Sequence, residues 1–230
     1  LTRIDEEIIG CEAFKNKVCT MVQHWIATGM SGGLSPFKGH WCFLGPTGCG
    51  KTKCAKMVGQ LLCALGSLVV GDVKETKLSD LKASYAGQSE EKTTCHILSC
   101  LGSVMFVDGS HGLGNGSACG DQVLTQMLTD LRTYEKHVCV ISAGHEDKMK
   151  EMFARREGLF SRFMFCVRLD PYTNSQLARI FWKQLCDHEK KSPAVNVDPK
   201  HESRLKDTFL AIMAEYPTVF QEENAGATDN

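Results

Sequence analysis

The chain has 230 residues, roughly one and a half average domains by length. With 43% of them apolar and 23% charged, it is neither a disordered tail nor a collagen-like repeat. The 26 basic and 27 acidic residues leave a net charge of -1, so no bulk attraction to nucleic acid or to an anionic membrane follows.

No apolar run approaches the ~20 residues that span a bilayer. The best candidate, Leu61 to Val70, is broken by Gly66 and Ser67. Leu1 to Glu7 is no signal peptide and carries no initiator Met. We therefore expect an excised or processed piece of an intracellular protein. The 12 cysteines include no Cys-x-x-Cys, and no histidine pair completes Cys49/Cys54 or Cys95/Cys100 into a zinc site. Cys42, Cys139 and Cys166 fall in expected strands and Cys63 in an expected helix. They read as reduced thiols that pack as small hydrophobes. Cys49, beside a helix N-terminus, is expected to be the reactive one.

In chain order, the 3.6-residue spacing of Phe14, Val18, Met21, Val22, Trp25 and Ile26 predicts a helix within Ile4 to Thr28. Gly29 to Gly33 is a loop. His40 to Leu44 reads as a buried strand, Lys51 to Leu65 as a helix ended by Gly66, and Val73 to Lys77 as a weaker strand. Glu90 to Cys100 is helical and Ser103 to Val107 a strand. Gly109 to Gly120 holds five glycines and reads as a loop. A helix over Asp121 to Tyr134 follows, then strands over His137 to Ser142 and Met164 to Leu169. Beyond Asp170-Pro171 only helices are expected, over Asn174 to His188 and His201 to Tyr216. The alternation predicts an α/β fold, a three-layer αβα parallel sheet over residues 1–170, with a partial helical lid over 171–230.

Gly45-Pro46-Thr47-Gly48-Cys49-Gly50-Lys51-Thr52 fits G-x-x-x-x-G-K-[ST] in full, after a strand and at the start of a helix. Glycines let successive N–H groups turn toward phosphate oxygens, and the helix N-terminus adds partial positive charge. Lys51 is placed to reach the β- and γ-phosphates, and the Thr52 hydroxyl to ligate Mg²⁺. Val104 to Val107 then presents Asp108 at a strand end as the second metal-side group. Gly109 follows where many P-loop ATPases carry the glutamate that activates water, and glycine cannot act as a base.

Taken together, these segments resemble one branch of the AAA+ ATPases, that of the red-type Rubisco activase CbbX and the stage V sporulation protein K-like proteins. Ile4 to Gly10 resembles the branch's opening L-D-x-L-I-G. Ser84-Tyr85-Ala86-Gly87-Gln88 resembles its G-Y-V-G-Q pore segment, and Ala143-Gly144-His145 its A-G-Y. Glu157 to Phe163 resembles P-G-L-x-S-R-F. The resemblance implies ATP and Mg²⁺ as ligands and a ring, usually of six subunits, with ATP between neighbours. It sets Ile9 and Gly10 near the adenine, Tyr85 on a pore loop that grips a client polypeptide, and Arg162 as an arginine finger. The departures are Gly109 for the Walker B glutamate, His145 for a tyrosine, Phe160 for an arginine, and Gly226 and Asp229 in a faint sensor 2 segment. They predict a remodelling ATPase with impaired hydrolysis. The alternative is an inactive pseudo-ATPase that serves a larger assembly and lends Arg162 to an active neighbour. No N-K-x-D segment supports a GTPase.

Overall fold

The computed structural model describes residues 4, 7–28, 39–83, 87–114, 116–156 and 158–191, and the single residues 204, 207, 208 and 211. The elements, in order, are α1 (Glu12–Thr28), β1 (Trp41–Leu44), α2 (Lys51–Ala64), β2 (Val73–Thr76), α3 (Leu78–Leu81), α4 (Ser89–Ser99) and β3 (Val104–Val107). A 3₁₀ turn (Ser110–Gly114), α5 (Ala118–Thr133), β4 (Cys139–Gly144) and α6 (Glu146–Ala154) come next. A second 3₁₀ turn (Phe160–Arg162), β5 (Phe165–Arg168) and α7 (Asn174–Lys191) complete them. The five strands form one parallel sheet in the order β2-β3-β4-β1-β5.

Side-chain alternation on these short strands builds the two faces of the core. Trp41, Phe43, Val104, Phe106, Ile141 and Val167 pack with Phe14 and Val18 of α1 and with Ala55 and Val58 of α2. Cys42, Met105, Val107 and Val140 point the other way, onto Ile97 of α4, Leu124 and Leu131 of α5, and Met149 and Met152 of α6. The expected α/β sandwich is therefore present, with a helical layer on each face. Because all strands run the same way, the loops after β1, β3 and β4 gather at one end. Gly45 N–H bonds the Gly144 carbonyl there at 3.0 Å.

Several expected boundaries shift. The helix expected over Ile4 to Thr28 is interrupted: Ile4 and Glu7 are helical, but Gly10 and Cys11 both have positive φ, 68° and 55°, and α1 starts afresh at Glu12. The glycine-rich loop is shorter than expected. Ser110 to Gly114 winds into the 3₁₀ turn, and the Ser117 hydroxyl accepts the Gly120 N–H at 3.1 Å to start α5 early. Two helices went unforeseen. α3 is a single turn, and α6 is set by the acidic pair Glu146 and Asp147 in its first turn and by buried Met149, Met152 and Phe153. Cys42, Cys49, Cys54, Cys100 and Cys139 are buried, but Cys166 is exposed, contrary to expectation.

Beyond β5, Tyr172, Leu177 and Ala178 make a separate small apolar cluster with Cys11 and Ile180. It joins α7 to the segment ahead of α1. The second helix expected after Pro171 lies almost wholly outside the described residues. Among the described residues, no helix is long and apolar enough to cross a membrane.

Candidate functional site

Where β1 gives way to α2, Gly50 stands as the N-cap of α2 with φ 88°, a left-handed conformation that glycine adopts without strain. A side chain there would also collide, since its Cβ would lie 2.3 Å from the Tyr172 hydroxyl. Buried Lys51 folds back over the loop that precedes it. Its ammonium donates to the Pro46 carbonyl at 2.6 Å and to the Gly45 carbonyl at 3.3 Å, and lies 3.8 Å from Cys49 Sγ. Those carbonyls solvate the charge without neutralising it, so it remains available to an anion.

The Gly45–Thr52 loop faces a cavity of about 490 Å³, of the size that holds small ligands. Ile9, Thr47, Gly48, Gly50, Lys51, Thr52 and Asp108, all singled out from sequence, border it. Gly10, Gly45, Pro46 and Cys49 shape the backbone behind it without lining it. Arg162 does not reach it. That residue precedes β5, at the end of the sheet away from the loop, and its Nε is buried without a hydrogen-bond partner among the described residues. Tyr85, the expected pore-loop residue, lies outside the described residues.

Thr52 and Asp108 both border the cavity and also share a smaller adjoining cleft. One Asp108 oxygen accepts the Gly109 N–H at 2.9 Å. A single hydroxyl and a single carboxylate are the sparse donor set that suits Mg²⁺, which completes its octahedron with phosphate oxygens and water. The residues present thus fit that ion.

Sequence reasoning missed other lining residues. Tyr172, Ile180 and Gln184 close the cavity from the α7 side, and Lys53 adds a cation whose pKa burial lowers. Their role depends on a long-range contact that no local pattern reveals. His111 and His145 also border the cavity, with ring centroids 6.0 Å apart in an edge-to-face arrangement. Burial, then the nearby charges of Lys148 and His145, lowers the pKa of His111.

The expectation for Cys49 is overturned. Its thiol is buried, and burial raises its pKa despite Lys51 alongside. Loss of water outweighs the helix terminus. The half-buried Cys11 behaves oppositely. The Cys54 thiol, and then the Tyr172 hydroxyl at 3.5 Å, hold its pKa down at about 7 against the effect of burial.

Similarity to known proteins agrees with this geometry. Residues 41–168, from the first residue of β1 to the last of β5, match the family described as "ATPase family associated with various cellular activities (AAA)". The ESX-1 secretion system protein EccA1 of Mycobacterium tuberculosis (strain CDC 1551 / Oshkosh) is 33% identical over 146 residues, 61% of this chain and 26% of that protein. EccA1 of Mycolicibacterium smegmatis (strain ATCC 700084 / mc(2)155) is 30% identical over 185 residues, 78% of this chain and 31% of that protein. The chain thus spans about a quarter to a third of the length of these relatives. A crystal structure of the FIGL-1 AAA domain in complex with ADP aligns with a TM-score of 0.49 at 17% identity, covering 90% of this chain and 62% of that one. With the family match running through the whole sheet and its phosphate loop, the chain belongs to the AAA family of ATPases.

Proposed function

We propose that this chain is an ATP·Mg²⁺-binding AAA+ module that works as part of a ring, as a remodelling ATPase with slow hydrolysis. One observation carries the reading: Lys51, Thr52 and Asp108, from two separate strand ends, border a single cavity of nucleotide size. In it, the Gly45–Thr52 backbone holds the phosphates, Lys51 carries charge to the β- and γ-phosphates, and Ile9 and Tyr172 enclose the base side. Bound Mg²⁺ would neutralise phosphate charge between Thr52 and Asp108. Arg162 would act in trans on a neighbour's γ-phosphate, which accords with its distance from its own cavity. The Gly-Leu-Phe-Ser-Arg-Phe segment and the similarity to EccA proteins support placement near the CbbX and stage V sporulation protein K-like branch.

Slow hydrolysis follows from Gly109. Its φ is 63°, and the nearest atom to a Cβ built there is 4.0 Å away. The position has both lost its carboxylate and taken a backbone conformation that a glutamate adopts only under strain. General-base assistance contributes ~10²–10⁴-fold, so turnover is lowered by about that factor against a Glu-containing relative.

The test is a titration of a fluorescent ATP analogue, with and without Mg²⁺, on the wild type and on Lys51→Ala, with light scattering to weigh the assembly. Saturable binding that is Mg²⁺-enhanced and lost in Lys51→Ala supports the reading; absence of binding to the wild type overturns it. The inactive-subunit alternative predicts that Arg162→Ala slows hydrolysis in a mixed ring only through a partner with an intact glutamate.

A further inference from the structure

We propose that His111 stands in for the missing Walker B carboxylate, holding the water that attacks the γ-phosphate and accepting its proton. This rests on the ATP-site reading above and adds to it the group through which the remaining hydrolysis runs.

The geometry begins at Gly109. His111 Cε1 is 4.0 Å from where a Cβ on Gly109 would sit, and its Nδ1 is 2.7 Å from the corresponding point on Gly144. The imidazole therefore lies between the ends of β3 and β4, beside the space that a side chain at position 109 would enter. It borders the same cavity as Lys51, Thr52 and Asp108.

The turn that carries it is fixed on both sides. The Ser110 hydroxyl donates to the Ala143 carbonyl at 3.2 Å and accepts from the Ser142 hydroxyl at 2.6 Å. Leu113, 1% exposed, is buried in the core, and Lys82 Nζ donates to the Gly112 carbonyl at 2.9 Å. His111 thus sits on a pinned turn and not at the tip of a free loop, which is what a positioned reactive group requires.

The imidazole meets the His145 ring edge-to-face but is not held by hydrogen bonds among the described residues. His111 Nδ1 is buried and has no hydrogen-bond partner among the described residues. His40 is the contrasting case. Its Nδ1 accepts the Val140 N–H at 3.1 Å and its Nε2 meets the Leu131 carbonyl at 3.2 Å, so both nitrogens serve the fold. Nδ1 is closed off against Gly144, so the water and its proton fall to Nε2, which is not buried and makes no hydrogen bond to the described residues. Burial first, then Lys148, His145 and Lys51, favour the neutral ring that can accept a proton; Asp108 opposes them.

In the proposed step the water oxygen bonds to the γ-phosphorus while the bond from phosphorus to the β,γ-bridging oxygen breaks. The electron pair of that bond leaves with ADP. One water proton passes to the imidazole, the other stays on the released phosphate, and His111 then loses its proton to solvent. Lys51 stabilises the charge that builds on the leaving oxygens.

The full chain would be compared as wild type, His111→Ala and His111→Gln, at concentrations where it assembles. Three quantities are read: affinity for a fluorescent ATP analogue, the single-turnover hydrolysis rate with Mg²⁺, and the melting temperature. His111→Ala should keep its melting temperature and bind nucleotide within about threefold of wild type, while hydrolysis falls at least about tenfold, a part of the ~10²–10⁴-fold that a fully effective general base contributes. His111→Gln should bind equally well and remain well below wild type, since an amide orients water without taking its proton. Independently, diethyl pyrocarbonate modification of His111, located by peptide mass spectrometry, should slow when a non-hydrolysable ATP analogue and Mg²⁺ are present. Normal hydrolysis in either variant, or equal modification with and without the bound analogue, overturns the proposal. Nucleotide affinity lost along with rate in His111→Ala also overturns it, because the ring would then be a binding contact. No nucleotide binding to the wild type is the failure of the ATP-site reading itself, and the affinity measurement separates the two.

Discussion

The two loops that face the cavity are built on opposite principles. The Gly45–Thr52 loop is specified by its own sequence. Glycine at Gly50 permits the turn, the α2 N-terminus follows at once, and Lys51 bonds carbonyls five and six residues back. The Ser110–Gly114 turn is specified by what it packs on, through Ser110 against β4 and Leu113 in the core. A loop of the first kind declares its chemistry in a motif. A loop of the second kind hides it, because the same glycine-rich string could lie anywhere until the core fixes it.

The largest expected effect tests the self-specified loop. Lys51→Ala should lower nucleotide affinity by about 100-fold, the loss expected when charge-assisted bonds to phosphate are removed. A titration that finds less than about a threefold change would show that the cavity does not hold phosphate. Next, alanine at Gly50 and at Gly109, both left-handed, should separate the loops by stability. Gly50→Ala meets both strain and the Tyr172 hydroxyl, and should cost about 3 kcal/mol in urea unfolding. Gly109→Ala meets only His111 Cε1, at 4.0 Å, and should cost about 1 kcal/mol. Equal losses would erase the contrast.

The two histidines sharpen it further. Burial holds His40 at about 4, below its ordinary 6.5, so the folded protein keeps it neutral while the unfolded chain takes up a proton. Its effect on stability is nil above pH 6.5, grows as pH falls through that value, and levels off below about 4. Between pH 6.5 and 5 it amounts to roughly 1.5 kcal/mol. Urea unfolding at the two pH values, with His40→Gln as the comparison, reads this directly; an unchanged slope in the variant would assign the loss to other groups. The smallest effect is chemical. At neutral pH a thiol-directed alkylating agent should label Cys11 about tenfold faster than Cys49, the half-buried thiol with the lowered pKa against the buried one with the raised pKa. Faster labelling of Cys49 would restore the helix-terminus argument.

Much of the fold was legible because it repeats. Phe14, Val18 and Met21 keep helical spacing and fall on one core face, and the apolar runs at 41–44, 104–107 and 139–143 stand where strands form. α6 escaped notice because its nine residues carry few apolar positions, and its buried Met149, Met152 and Phe153 acquire meaning only against the sheet. Cys49 was misjudged for a related reason. Its neighbours in sequence are a helix terminus and a lysine, while its neighbours in space exclude water, and the loss of water prevails.

The sequence by itself determined the α/β order, the phosphate loop and the pairing of Lys51 and Thr52 with Asp108. Each of these depends on local backbone preference or on a strand ending at a known place, and both are written in consecutive residues. Only the tertiary structure decided what surrounds them: Tyr172 closed over Gly50, Cys49 sealed from solvent, and His111 laid beside Gly109 with a buried Nδ1 that has no partner among the described residues. Those contacts join residues from different elements. Their energies come from burial and from hydrogen bonds across the core, which exist only once the sheet and its helices have come together.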